Sequence, residues 1–198
     1  ACMNKPLARP AVLLALLALA GCRDADPPDT WLGEITPVTN PAGAGSRYPH
    51  LAAGPDDTLL ISWLQPLASG GHELRYATWK DTAWSESSVV ASGTDWFVNW
   101  ADFPSVVAGA DGLRVAHWLQ QRPEHVYSYD IQMAVSRDAG RTWSVPLTPH
   151  DDGTPTEHGF VTLLPHEAGF LAVWLDGRHT AGGHDHGAGG AMTLRSVE

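Results

Sequence analysis

Loops in the second half of the chain concentrate side chains that can carry acid–base or metal chemistry. The segment 176–190, DGRHTAGGHDHGAGG, contains His179, His184, Asp185 and His186, which are residue types that bind metal ions. Its glycines predict a flexible loop, and no spacing in it matches a closed structural metal site. The sequence therefore favours a solvated polar loop, and neither a metal nor another cofactor is predicted.

A second polar loop, PHDDGTPTEHGF at 149–160, contains paired acids and a histidine: Asp151, Asp152, Glu157 and His158. Paired carboxylates can perform acid–base chemistry in glycoside hydrolysis. They can equally bind a cation or hold a turn, and the sequence leaves these alternatives open.

Aromatic and basic residues in neighbouring loops suit a sugar ligand. Trp96 and Trp100 lie in DWFVNWADF at 95–103, beside the polar side chains of Asp95, Asn99 and Asp102. Indole rings can present flat apolar faces to sugar rings, although packing between sheets is the favoured role for at least one of the two. Arg178, and with less support Arg122, adds positive charge to the same group of loops.

An internal repeat of about 55 residues positions these loops. Segments 48–66, 103–121 and 159–177 align on a short strand, a turn and a longer strand that ends in Trp-Leu, with Trp63, Trp118 and Trp174 spaced 55 and 56 residues apart. A third strand follows in each unit, and a fourth in the first two, near 84–90 and 143–148. Alternating and β-branched residues predict strands throughout, and no amphipathic helix is predicted in the mature chain.

Four antiparallel strands at this period are typical of the blades of a β-propeller. The predicted fold is all-β, with blades over about 47–103 and 104–158 and an incomplete blade over 159–198. A β-sandwich of similar hairpins is the alternative. Because a propeller needs at least four blades to close, the chain is expected to be the N-terminal piece of a longer protein.

The octet SRDAGRTW, Ser136 to Trp143, lies between the third and fourth strands of the second unit. Asp138 can accept hydrogen bonds within its own turn, Gly140 can adopt a positive φ, and Trp143 can bury its ring. The octet resembles the Asp-box of sialidases, at Ser136, Asp138, Gly140, Thr142 and Trp143. The resemblance implies a sialidase-like propeller, six-bladed in its full-length parent, in which this box is structural and distant from the catalytic centre.

Arg47-Tyr48-Pro49 resembles the segment that opens the first blade of sialidases. The resemblance implies that Arg47 grips a substrate carboxylate, and a plain surface arginine is the alternative. The sialidase resemblance as a whole covers residues 47–198. It identifies neither a nucleophile nor an acid/base, although Glu73 lies near the place where the acid/base would be expected. Glycoside hydrolysis therefore stays one hypothesis, and a non-catalytic module that binds a polysaccharide or an envelope protein is the other.

Strand alternation sorts the loops between two faces of the predicted propeller. The Asp-box lies on the face that carries the first-to-second and third-to-fourth strand turns. The remaining loops and the links between blades lie on the opposite face, at 65–72, 93–103, 120–129, 149–160 and 176–190. Loops on one face of a rigid scaffold are where function usually resides, so this face is the predicted site.

The N-terminal residues have the order of a secretory signal. A basic segment, Met3 to Arg9, precedes an apolar run of about a dozen residues, shorter than the roughly 20 of a membrane-spanning helix. Leu19-Ala20-Gly21-Cys22 resembles the lipobox of bacterial lipoproteins, which implies a signal peptide over 1–22, lipid attached to Cys22 and a location on the cell envelope. Residues 23–46 are predicted to be a linker, with a short strand over 31–36.

Charge and cysteine content exclude two classes of protein. The net charge is −10, and removal of residues 1–21 takes away Lys5 and Arg9 and no acid, which leaves −12. Such an acidic chain would repel nucleic-acid phosphates. Cys2 and Cys22 are the only cysteines, so the mature domain has no disulfide framework.

Overall fold

The computed structural model describes residues 33–180 and 191–198, and every regular element in these ranges is a β-strand. The chain divides into two compact units, Ala1–Pro37 and Val38–Glu198, and the second contains all the described strands. Residues 33–36 form no strand, so that part of the strand predicted over 31–36 is wrong. Among the described residues, no helix is long and apolar enough to cross a membrane.

The first sheet contains five strands. In chain order they are β1 (Arg47–Ala53), β2 (Leu59–Pro66), β3 (His72–Lys80), β4 (Ala83–Trp84) and β5 (Ser88–Gly93). The first three pair antiparallel in sequence order, and both β4 and β5 pair with β3. The predicted fourth strand near 84–90 is therefore divided into two short strands on the same neighbour.

The second and third sheets have three strands each, paired antiparallel in sequence order. They are β6 (Ser105–Ala108), β7 (Arg114–Gln121) and β8 (Tyr129–Ser136), and then β9 (His158–His166), β10 (Gly169–Asp176) and β11 (Thr193–Val197). Antiparallel meanders repeated in this way are the expected form of propeller blades.

The fourth strand predicted near 143–148 does not form, although its backbone lies beside β8. Ser144 N–H bonds to Val135 O, and Met133 and Leu147 exchange two hydrogen bonds. Three residue steps, from Ser144 to Leu147, therefore lie opposite two steps of β8, from Val135 to Met133. This leaves one extra residue in a bulge. Pro146 lies inside this bulge and has no N–H to offer, so the ladder is reduced to a single bridge.

Two apolar clusters hold the three sheets face to face. One joins the first sheet to the second, and the other joins the second to the third. The repeated tryptophans have equivalent places in them: Trp118 packs with Leu60, Leu64 and Tyr76 of the first sheet, and Trp174 packs with residues of the second. The repeat in the sequence is therefore a repeat of interfaces between sheets.

The first strands of the three sheets, β1, β6 and β9, are neighbours in the structure. Both β1 and β9 begin with a shift in register, and each shift contains an aromatic residue in the left-handed region, Tyr48 with φ 57° and Phe160 with φ 52°. Bulky residues rarely adopt this conformation, and β-bulges of this kind re-aim side chains at functional sites. The aligned first strands and their bulges surround the cavity described below.

The turn at 136–143 is held by its own side chains. The Asp138 carboxylate accepts hydrogen bonds from Ser136 Oγ at 2.8 Å, Thr142 N at 2.9 Å and Thr142 Oγ1 at 2.6 Å. Gly140 has φ 82°, and its carbonyl accepts a bond from the Tyr76 hydroxyl of the first sheet at 3.4 Å. This turn therefore also connects two neighbouring sheets.

Candidate functional site

A cavity of about 400 Å³ opens between the three first strands. Its walls come from β1, β6, β9 and the loop that leads into β6. The residues around it are His50, Ala101, Asp102, Phe103, Ser105, Phe160, Val161, Thr162 and Leu163. Its volume lies at the lower end of the range for small-molecule sites.

Asp102 is the one carboxyl group among the described residues of this cavity. It is 4% exposed, and it accepts a hydrogen bond from the Tyr129 hydroxyl over 3.5 Å. Burial raises the pKa of Asp102 to about 6, and the charge of Glu157 adds to this, while hydrogen bonds from the Phe160 backbone and Tyr129 act in the opposite direction. A carboxyl group of this kind can hold and release a proton near neutral pH.

Tyr129 connects Asp102 to a second acid. Its hydroxyl lies 3.3 Å from Glu157 Oε2, and its ring is buried in a stack on Phe97, with 4.0 Å between the centroids. Burial raises the pKa of Tyr129 far above its ordinary value, and both carboxylates add to the effect. The phenol therefore stays protonated and donates its single hydrogen to one carboxyl group at a time.

The local backbone explains how Asp102 reaches this position. A Cβ atom on Gly159 would collide with the Asp102 carboxylate, so the acid fits only against a glycine. The next residue, Phe160, lies in the bulge of β9 with a positive φ. Gly159 and the bulge together leave room for a buried carboxyl group beside the cavity.

The floor of the cavity is made of uncharged polar groups. Ser105 Oγ lies 3.0 Å from Nδ1 of the fully buried His117. Burial lowers the pKa of His117 to about 3, with a contribution from His50, and burial also lowers the pKa of His50. Both imidazoles are therefore neutral at neutral pH, and the buried atoms His50 Nδ1 and His117 Nε2 have no hydrogen-bond partner.

A separate polar cluster lies between the second and third sheets. The rings of His150 and His158 stack in parallel, 3.8 Å apart. His158 is fully buried, and both of its nitrogens face acceptors: Nδ1 lies 3.2 Å from Thr156 O and Nε2 lies 3.1 Å from Asp152. The buried His158 ring is therefore held between a backbone carbonyl and a carboxylate.

Arg178 completes this cluster. It donates to both oxygens of the buried Asp176, at 2.7 and 2.8 Å, and lies 3.5 Å from Asp152. Burial opposes the ionisation of Asp152, but a hydrogen bond from Thr154 and the charges of His158 and Arg178 lower its pKa to about 2. The guanidinium of Arg178 thus lies beside two acids of the cluster, Asp152 and Asp176.

Two triads within this cluster have ligand atoms close enough for a metal ion, namely Asp130 with His150 and His158, and Asp152 with His158 and Asp176. Several of these ligand atoms already have partners, because His150 Nε2 accepts from the Ile131 N–H at 3.3 Å and both oxygens of Asp176 accept from Arg178. The arrangement fits a structural ion-pair network better than a metal centre.

The structure separates the residues that the sequence proposed for the ligand. Arg47 is exposed and borders a different cavity, of about 440 Å³, together with Trp63 and Trp84. Trp96 stacks on Trp118, with 5.5 Å between the centroids, as the packing alternative requires. Trp100 is 79% exposed and lies two residues before Asp102.

None of the four residues named for the substrate, Arg47, Trp96, Trp100 and Arg178, borders the Asp102 cavity. Their binding role stays a prediction. Cys22 and the loop residues His184, Asp185 and His186 lie outside the described residues.

Sequence reasoning named Asp102 only as a partner for sugar hydroxyls and did not name Tyr129, Ser105, His50 or His117. A signal was present, since His50, Ser105 and Thr162 each follow an aromatic residue by two positions at the start of a repeat. Equivalent positions on first strands point to a common cavity, and the repeat alignment contained this information.

Comparison with known proteins supports the fold. No family model matches the chain, and no curated protein matches it. Among solved structures, the chain is similar to an alpha-L-arabinanase of Penicillium chrysogenum in complex with arabinobiose, with a TM-score of 0.53 and 16% identity over 75% of this chain.

The matched region makes up 44% of the arabinanase chain, so this protein spans less than half of that structure. At this identity the likeness concerns the fold alone. The prediction of an all-β, β-propeller fold with a partial set of blades is thereby confirmed. The assignment to the sialidase family within that fold stays a prediction.

Proposed function

We propose that this protein is a propeller of the cell envelope that acts on or binds glycans through the cavity between β1, β6 and β9. The observation that carries the proposal is Asp102, a buried carboxyl group with a raised pKa at the wall of a cavity of ligand size. Groups of this kind are concentrated at functional sites.

In the catalytic form of the proposal, Asp102 is the general acid. Its proton passes to the glycosidic oxygen as the bond from that oxygen to the anomeric carbon breaks, which is the role of the raised-pKa carboxylic acid in glycoside hydrolysis. A water molecule adds to the anomeric carbon and gives up a proton to the solvent. Glu157, joined to Asp102 through Tyr129, is the second carboxyl group of the pair. The exposed ring of Trp100 offers a surface on which a further sugar unit can stack.

The comparison adds support from another direction. The similar solved structure is named as an arabinanase and contains arabinobiose, so a propeller with a related shape holds a glycan in that protein. This likeness supports a glycan as the class of ligand here and does not identify the sugar.

Hydrolysis of oligosaccharides, whose alkoxide leaving groups need a proton, tests the catalytic form at pH 5 to 6 through the reducing ends released. We expect turnover of at least one substrate, and a loss of about a hundredfold or more in Asp102→Asn, the scale of an acid–base contribution. The matched control is Asp95→Asn, an exposed acid in the same loop. Full activity in Asp102→Asn would contradict the assignment of this residue.

A non-catalytic module is the second candidate, and one observation favours it. Glu157 does not border the cavity, so Asp102 has no second carboxyl group beside it among the described residues that do, whereas glycoside hydrolysis ordinarily uses two. In this form the protein binds a glycan without turnover, and saturation-transfer NMR would detect binding while product analysis detects none.

The finer proposal of sialidase activity is supported by the Asp-box at 136–143 and by Arg47 at the start of β1. It requires that Arg47 hold the carboxylate of a sialoside. Hydrolysis of an aryl sialoside that is abolished in Arg47→Ala and retained in Arg195→Ala would support it. A sialoside that is neither bound nor cleaved would refute it.

Membrane anchoring rests on the lipobox-like sequence that ends at Cys22. We expect metabolic labelling with an alkyne fatty acid, and recovery of the protein in the membrane fraction, in a bacterial host. Cys22→Ser should lose both. Cys2→Ser is the control and should keep both, because this cysteine lies outside the lipobox-like segment that ends at Cys22.

A further inference from the structure

We propose that the cavity between β1, β6 and β9 is a subsite for an uncharged sugar residue and discriminates against sialic acids and other sugar acids. This inference rests on the proposed function, because it presumes a glycan ligand. It departs from the sialidase resemblance, in which an arginine holds the carboxylate of the substrate.

The charges around the cavity carry the argument. Asp102 is its one ionisable acid, and no arginine or lysine is among the described residues that border it. Arg47, the residue proposed to grip a carboxylate, borders the other cavity beside Trp63. An anionic sugar would therefore meet no cation among the described residues of this cavity, and it would be repelled by Asp102 whenever that group is ionised.

Hydrogen-bonding groups beside the cavity suit sugar hydroxyls. The imidazole of His50 and the hydroxyl groups of Ser105 and Thr162 border it, and Thr162 is exposed. Sugar hydroxyls both donate and accept, so they can pair with such uncharged groups without any cation.

Size and apolar surface agree with this ligand class. The cavity of about 400 Å³ has room for one or two sugar residues, by comparison with sites of roughly 300–1,000 Å³ that hold small molecules. Phe103 and Phe160 flank it, and Phe160 remains 46% exposed. Their rings can contact the C–H faces of a sugar while the floor binds its hydroxyls.

The test is a glycan array at pH 7 that contains matched pairs, in which one member carries a terminal sialic or uronic acid and the other does not. We expect the neutral member of a pair to bind at least about tenfold more tightly than its acidic partner. The best neutral binder is then titrated against Thr162→Val, which should bind about three- to tenfold more weakly because one neutral hydrogen bond is lost. Ser92→Ala, an exposed hydroxyl on β5, is the matched control and should bind normally.

The outcomes separate this inference from the proposed function. Equal or tighter binding of the acidic members would overturn the inference and leave glycan binding in place. Binding of neutral glycans that is unchanged in Thr162→Val and lost in Arg47→Ala would place the sugar elsewhere and also overturn it. An array with no bound glycan of either kind would overturn the proposed function itself.

Discussion

Replacing Asp102 by asparagine should make the protein more stable at neutral pH and leave its stability unchanged in acid. The carboxyl group is 4% exposed, and burial raises its pKa from 3.8 to about 6. Asparagine has the same shape, carries no charge and can still accept a hydrogen bond from the Tyr129 hydroxyl. The substitution therefore removes the charge and changes little else.

The magnitude follows from linkage between protonation and folding. Below pH 3.8 the group is protonated in the folded and unfolded states, and it contributes no pH dependence. Between pH 3.8 and about 6 the folded state binds the proton more tightly, so stability falls as pH rises. Above pH 6 the ionised group lowers the free energy of unfolding by about 3 kcal/mol, the equivalent of this change in pKa.

Urea unfolding followed by tryptophan fluorescence measures this difference. At pH 7.5 we expect Asp102→Asn to exceed the wild type by about 2 to 3 kcal/mol, and at pH 4 we expect the two curves to approach each other. Asp95→Asn, an exposed acid in the same loop, should show no such difference. If Asp102→Asn is less stable than the wild type at pH 7.5, the ionised carboxylate is well partnered in the folded state, and the reasoning is refuted.

Three further substitutions test the scaffold by the same unfolding measurement. Hydrogen bonds from Thr142 and Ser136 hold the pKa of Asp138 below its usual range, so Asp138→Asn should destabilise at pH 7 and the difference should narrow below pH 4; a constant difference would contradict this. Gly140→Ala places a Cβ atom against the Tyr76 hydroxyl, at a backbone φ of 82°. Its free energy of unfolding should fall clearly more than that of Gly153→Ala, where φ is 63° and no atom is close and where we expect a loss of about 1 kcal/mol. Arg178→Met leaves the buried Asp176 without its bidentate partner and should cost about 3 kcal/mol, whereas a neutral result would show the pair to be dispensable.

The fold was predictable because the sequence repeat reflects similar packing between neighbouring sheets. Trp63, Trp118 and Trp174 recur at one place in each sheet, and Trp118 and Trp174 each lie between neighbouring sheets. A large apolar residue that recurs at a constant spacing indicates a packed position in each repeat. The fourth strand of the second unit was predicted wrongly because the alternating residues at 143–148 also contain Pro146, which interrupts the ladder.

The candidate site was less predictable, because its chemistry arises from burial and from contacts across the repeat. In the sequence Asp102 is one acid among several in polar loops. Two contacts distant in sequence distinguish it. Gly159, 57 positions later, leaves space for its carboxyl group because it has no side chain, and Tyr129, at the end of another loop, donates a hydrogen bond to it. Arg178 shows the reverse case, since its pairing with Asp176 makes it part of the scaffold although it lies in a loop on the expected face.

Asp102 and Asp138 show how one residue type serves two purposes in one fold. The Asp138 carboxylate accepts hydrogen bonds from Ser136 and Thr142 of its own turn, so its negative charge is stabilised and its removal is expected to weaken the fold. Asp102 lies where the fold disfavours its charge, beside a cavity and a second acid. A structural carboxylate gains stability by ionising, whereas Asp102 loses it. A buried acid that the fold would hold more stably as asparagine is difficult to explain by structure alone, which supports the proposed role of Asp102 in proton transfer or ligand binding.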